Sequence, residues 1–318
     1  MKFDSEDKYT VKLFQIRPYC NDYLWGGRRL TNEYGIETER YPLAEAWMLS
    51  SHKDGLCHIM GSSFDGMTLE EYQNKTGDHI FGNSCNSSNL PIIKLIDAED
   101  DLAIQVHPDD EYALKNEHQL GKVECWYILD AEPDASIYYG FTKELTKDEF
   151  VKRITEGTLK EVVRCIKVHK GDFYYIPSGF IHAIGKGIIV AEVQENSNVT
   201  YRIDDFKRKD QFGHFRTLQI TQAIDVTVLD NKIPSYHLGN HLIKNRYFTV
   251  DIADGSSQGK CTEKSYISMI VLSGSGFLEL DDHERAALHK GQSWFISAHE
   301  GKWRIKGKCR LLITQTGV

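Results

Sequence analysis

Gly121-Lys122-Val123-Glu124-Cys125-Trp126-Tyr127-Ile128-Leu129 is a run of β-branched and aromatic residues with two charges set into it. Such a run favours extended backbone, and alternation then sends Lys122, Glu124 and Trp126 to one face and Val123, Cys125 and Tyr127 to the other. A carboxylate and an ammonium among apolar neighbours are seldom buried without partners, so this strand asks for company. Similar short strands flank it on both sides: Leu102–His107, Asp172–Ile176 and Tyr266–Leu272. Helical periodicity is scarcer and predicts segments over 69–74, 109–116, 146–156 and 215–224. Thr146-Lys147-Asp148-Glu149 predicts a capping box at the third of these. The fold class is therefore mostly β, with a few peripheral helices.

A faint repeat organises the chain. His169-Lys170-Gly171-Asp172-Phe173-Tyr174-Tyr175-Ile176 matches His289-Lys290-Gly291-Gln292-Ser293-Trp294-Phe295-Ile296, and Trp126-Tyr127-Ile128-Leu129 matches Met269-Ile270-Val271-Leu272. Two β-barrel domains are expected, one over 1–235 and a smaller one over 240–318. The alignment sets Ile267 where Glu124 stands and Lys302 where His182 stands. The second barrel is accordingly expected to hold no metal.

The 318 residues carry 38 Lys plus Arg against 46 Asp plus Glu, a net charge of −8. An acidic surface without clustered cations is a poor match for nucleic acid. No apolar run is long enough to span a membrane, and Met1–Asp7 is too polar for a signal peptide. Seven cysteines are scattered singly with no C-x-x-C pair, which reads as reduced thiols in cytoplasm. The sequence sets no oligomeric state.

In Gln105-Val106-His107 alternation places Gln105 and His107 on one strand face, with Ile104 and Val106 opposite. With Glu124 and with His182, reached through the Pro177-Ser178-Gly179 turn, they make a set of two imidazoles, one carboxylate and one amide. Such a set suits Zn²⁺, or Fe²⁺, and leaves a position open for chemistry. The plainer alternative for each is a solvated strand face.

Several segments together resemble the type I phosphomannose isomerases in their short bacterial form. They are Leu24-Trp25-Gly26-Gly27, Glu45-Ala46-Trp47, Ile104 to Asp110, Gly121 to Leu129, Gly171-Asp172-Phe173, Pro177 to Ala183, and Gln194-Glu195-Asn196-Ser197 through Tyr201-Arg202. The resemblance implies a cupin-type β-barrel, one Zn²⁺ per chain, and interconversion of mannose 6-phosphate and fructose 6-phosphate through an enediol. It implies His107, Glu124, His182 and Gln105 as metal ligands and Arg202 as a catalytic residue. Lys122 and Glu192 are implied as catalytic candidates, and Lys94 and Trp25 as substrate-binding positions. Lys94 or Lys122 is expected to supply a cation for the phosphate. Asn198 and Ala103 depart from the pattern, where relatives carry Asp and a hydroxyl residue.

Overall fold

The computed structural model describes residues 11–77, 79–209, 212–236, 241–281, 284–299 and 301–317, so Met1–Asp7 lies outside the described residues. Three sheets carry the chain. A six-stranded sheet runs in the order Phe173–Ile176, Glu124–Ala131, Ile188–Gln194, Ile92–Ala98, Glu45–Leu49, Tyr19–Asn21. A five-stranded sheet runs Tyr201–Asp204, Ile104–Val106, His182–Ile184, Ser136–Phe141, Val163–Lys167. Trp126, Ile128, Ile137, Tyr139, Ile176 and Val190 fill the space between these two. The opposite face of the six-stranded sheet, with Leu95, Tyr127 and Ala46, packs on Phe14, Phe295 and Leu312 of a nine-stranded sheet. Each large side chain so buried contributes about 1.5–3 kcal/mol. The sheets are not closed barrels, and the two-barrel expectation is met as cupin-type packing of open sheets.

The repeat is reproduced bond by bond. Tyr174 pairs with Trp126 and Trp294 with Met269. Gly171 N donates to Ile128 O at 2.9 Å and Gly291 N to Val271 O at 2.8 Å, both glycines at positive φ where a side chain would be strained. His169 N is bonded by Asp172 Oδ2 (2.8 Å) and His289 N by Gln292 Oε1 (2.9 Å). Further along, the register corrects the sequence alignment by one residue. His182 pairs with Gln105 and Tyr139, and in the second copy Trp303 pairs with Gly259 and Leu280. Lys302 is exposed and Trp303 buried, as the inward-facing His182 is, so Trp303 and not Lys302 stands at that position. Its ring fills the centre: a Cβ on Gly259 would lie 2.4 Å from the indole.

The expected boundary at 235–240 falls between the helix Ile220–Val226 and the strand Ile243–Lys244. Two strands from the other side of it, Leu13–Arg17 and His58–Met60, extend the nine-stranded sheet, with Leu13–Arg17 seated against Ser293–Ile296. Helices form over Leu69–Thr76, Asp110–Asn116 and Lys147–Thr155 close to expectation. The box predicted at Thr146 is half made. Thr146 Oγ1 accepts from Glu149 N (3.2 Å), while the Glu149 carboxylate turns to Lys143 Nζ (2.7 Å). The reciprocal box is found instead at Thr68 and Glu71. The helix expected from 215 begins only at Ile220, because Phe215 bridges Lys209 and Arg216 is drawn onto Asp205.

Candidate metal centre and active site

The Pro177-Ser178-Gly179 turn brings the two site histidines together, since Gly179 N donates to His107 O at 2.8 Å. Gly179 has φ +78°, and a Cβ there would collide with Val226 O. His107 Nε2 and His182 Nε2 lie 3.2 Å apart, each 3.3 Å from one oxygen of Glu124. The other ring nitrogens are committed to backbone carbonyls, His107 Nδ1 to Val199 O (3.0 Å) and His182 Nδ1 to Phe180 O (2.7 Å). These bonds fix the tautomers so that both Nε2 lone pairs face the centre. Gln105 completes the ring, its amide 3.3 Å from His182 Nε2; turning the isosteric amide presents its oxygen.

All three charged or imidazole groups are buried, and both Glu124 oxygens lack a hydrogen-bond partner among the described residues. Two orphaned carboxylate oxygens facing two imidazole lone pairs are a poor arrangement for a dry core and a good one for a divalent cation. Burial pushes His107 down to about 3, with the Lys122 charge adding to the effect and Glu124 opposing it. Burial lowers His182 also. For Glu124 burial acts upward but is outweighed by Lys122 and the histidines, which hold it ionised. The ligands are therefore ready, neutral and anionic, without deprotonation.

A pH dependence follows. Unfolded His107 takes a proton below the ordinary 6.5, whereas the folded ring refuses it until about 3. Its contribution to stability is complete above about pH 6.5 and declines as pH falls toward 3. Asp97 and Glu195, raised by burial to about 6 and about 8, run the other way. The expected result, for chelator-treated protein, is that the Tm difference between wild type and His107→Gln shifts against wild type on acidification across that window. A pH-independent difference, measured by thermal melts, would contradict it.

Beside the centre lies a buried charge network. Lys94 Nζ is 3.2 Å from Glu192 Oε1 and 3.9 Å from Glu45 Oε2, and sits 4.8 Å from the Trp47 ring centroid. Trp47 Nε1 donates to Glu45 (2.7 Å) and Trp126 Nε1 to Glu192 (2.9 Å). Sheet register builds this, as Trp47, Lys94, Glu192 and Trp126 are successive cross-strand partners. Burial lowers Lys94, but Glu45 and Glu192 outweigh it and keep the ammonium charged. Lys122 Nζ is 3.3 Å from Glu124 and only 4 % exposed, so it is no solvated strand residue.

One pocket gathers Trp25, Lys94, Gln105, Lys122, Glu192 and Arg202. Arg202 sits opposite Gln105 across the sheet, and its guanidinium makes no ion pair among the described residues. Asp205, three residues on, is held by Arg208 and Arg216. Sequence reading passed over Tyr23, Glu45 and Arg216, which also line the pocket. Tyr23 stacks on Trp25 with centroids 5.6 Å apart. Glu45 carried a signal, since it stands in the Glu45-Ala46-Trp47 segment; Arg216 carried none. Asn198 lines the pocket with Nδ2 bonded to Asp54 Oδ2 (3.1 Å), so a carboxylate still stands near that position.

Comparison with known proteins decides the family. Residues 13–152 match the family described as phosphomannose isomerase type I, catalytic domain, and residues 239–316 match mannose-6-phosphate isomerase, cupin domain. A mannose-6-phosphate isomerase of Streptococcus mutans is 35 % identical over 303 residues, covering 92 % of this chain and 95 % of its own. The chain belongs to the type I phosphomannose isomerases. It is an enzyme of that class. The crystal structure of a mannose 6-phosphate isomerase from Bacillus subtilis superposes with a TM-score of 0.87 at 32 % identity, covering 96 % of this chain and 99 % of that one. At 16 % identity and a TM-score of 0.76, a mannose 6-phosphate isomerase bound with zinc and yttrium shares the fold over 97 % of this chain and all of that one. Among the described residues no helix of this phosphomannose isomerase is long and apolar enough to cross a membrane.

Proposed function

We propose that the chain interconverts mannose 6-phosphate and fructose 6-phosphate through an enediol, with one zinc ion held by Gln105, His107, Glu124 and His182. The observation that carries this reading is the pair of buried Glu124 oxygens that face two pre-oriented imidazoles without a hydrogen bond among the described residues, beside a cationic pocket. When bound, the ion supplies Lewis-acid stabilisation of charge on the sugar oxygens. The chain's own groups do the rest. Trp25 packs against the sugar, and Lys94, its charge already matched, donates to hydroxyls. Glu192 takes the proton from C2 or C1 and returns it to the other carbon, while the Lys122 ammonium donates to a sugar oxygen beside it. Arg202 presents a planar fork of donors to the oxygen on which negative charge develops. The wall of Trp126, Ile184 and Leu102 excludes water from the proton's path.

The second repeat has Ile267 in place of Glu124 and Trp303 in place of His182, and neither can ligate. Elemental analysis of purified protein should therefore find one divalent ion per chain, and two would refute it. We divide the chain at 235–240 into a catalytic unit and a supporting repeat that shapes it. All seven cysteines are free thiols, and with a sugar-phosphate substrate this supports a cytoplasmic site of action. The test is a coupled assay for fructose 6-phosphate formed from mannose 6-phosphate. No product above background with metal-loaded protein would overturn the reading.

A further inference from the structure

The pocket contains two kinds of cation, and only one kind is free to meet an anion. Lys94 is matched by Glu45 and Glu192, and Lys122 by Glu124, so the deep end holds two ammonium groups against three carboxylates. The outer end is different. Arg202 has no carboxylate partner among the described residues, and Arg216 stands close enough that its charge lowers the Arg202 pKa, second only to burial. Asp205, 5 % exposed, is shared there by two arginines. Arg216 Nε donates to Asp205 Oδ2 at 2.7 Å, and its Nη2 pairs with Oδ1. Arg208 Nη2 takes the same Oδ1 at 2.5 Å, while its Nη1 is spent on Asp101 O and lies 3.7 Å from Asp100. Asp205 thus clamps Arg216 by one edge of the guanidinium, leaving Nη1 without a bond among the described residues. Arg216 lines the pocket and Arg208 does not.

We propose that Arg216, braced by Asp205, is the residue that selects a phosphorylated sugar by binding its phosphate dianion. This rests on the sugar-phosphate reading above and names the group that enforces it. The arrangement fits the chemistry: a fork held along one edge keeps its other donors aimed at an anion. It also orients the substrate, with the phosphate toward Arg216 and the reacting carbons toward Arg202 and the proposed metal ligands.

The experiment compares wild type, Arg216→Gln and Arg208→Gln. The last removes an equal charge and one of the bonds to the Asp205 carboxylate without touching the pocket. Inorganic phosphate titrated by calorimetry should bind about 10–100-fold more weakly to Arg216→Gln, the effect expected of a lost charge-assisted bond, and as in wild type to Arg208→Gln. In turnover, the ratio of kcat/KM for mannose 6-phosphate to that for mannose should fall by a similar factor in Arg216→Gln, through KM more than kcat. Arg216→Lys should recover part of it. Equal phosphate binding in all three proteins, or equal losses in Arg216→Gln and Arg208→Gln, would overturn the proposal. A wild type that binds phosphate through Arg216 yet makes no fructose 6-phosphate would overturn the proposed function and leave this assignment standing.

Discussion

Glu124→Gln is expected to leave the fold intact, empty the metal centre and abolish turnover. The amide is isosteric, so packing at this fully buried position survives. What goes is the only anion between two neutral imidazoles, together with the partner that holds Lys122. Residues that merely orient a ligand cost about 10–100-fold in metal affinity, and a charged ligand should cost more. The checks are metal content by elemental analysis, a thermal melt and the coupled assay. A variant that keeps its metal and its rate would remove Glu124 from the centre.

Arg202→Ala is expected to do the opposite to the metal and something similar to the rate. A guanidinium has no lone pair for a cation, so metal content should match wild type. A fixed positive group beside developing negative charge is lost, typically about 10²–10³ in turnover. Arg202→Lys should recover little, because an ammonium keeps the charge but not the fork. Near-normal turnover in Arg202→Ala, with normal folding, would show that the residue serves packing alone.

The candidate metal-binding set was legible because its members obey strand alternation: Gln105 against Val106, Glu124 against Cys125. Burial of polar residues at the apolar phase of a strand is visible without coordinates. The repeat was legible for the same reason, through two matched turns and strands. The one-residue slip at Trp303 was not, since only cross-strand pairing reveals it. Nor was the partnering of Lys94, which depends on Glu45 and Glu192 lying on neighbouring strands far away in the chain. Arg216 was hidden deepest. It sits in a polar stretch whose apolar spacing suggested a helix, and a tertiary ion pair with Asp205 overrode that tendency.

Leu13–Arg17 gives the molecule a clock. One edge of this strand meets His58–Met60, made soon after it, but the other meets Ser293–Ile296, near the end of the chain. At about 5–20 residues per second, a ribosome leaves that second edge unpaired for roughly 15–60 s. The buried face of Phe14 and Ile16 is left without Phe295 for the same interval. A nascent chain of this enzyme therefore carries an open strand edge throughout most of its synthesis, and the next-to-last strand made is what closes it.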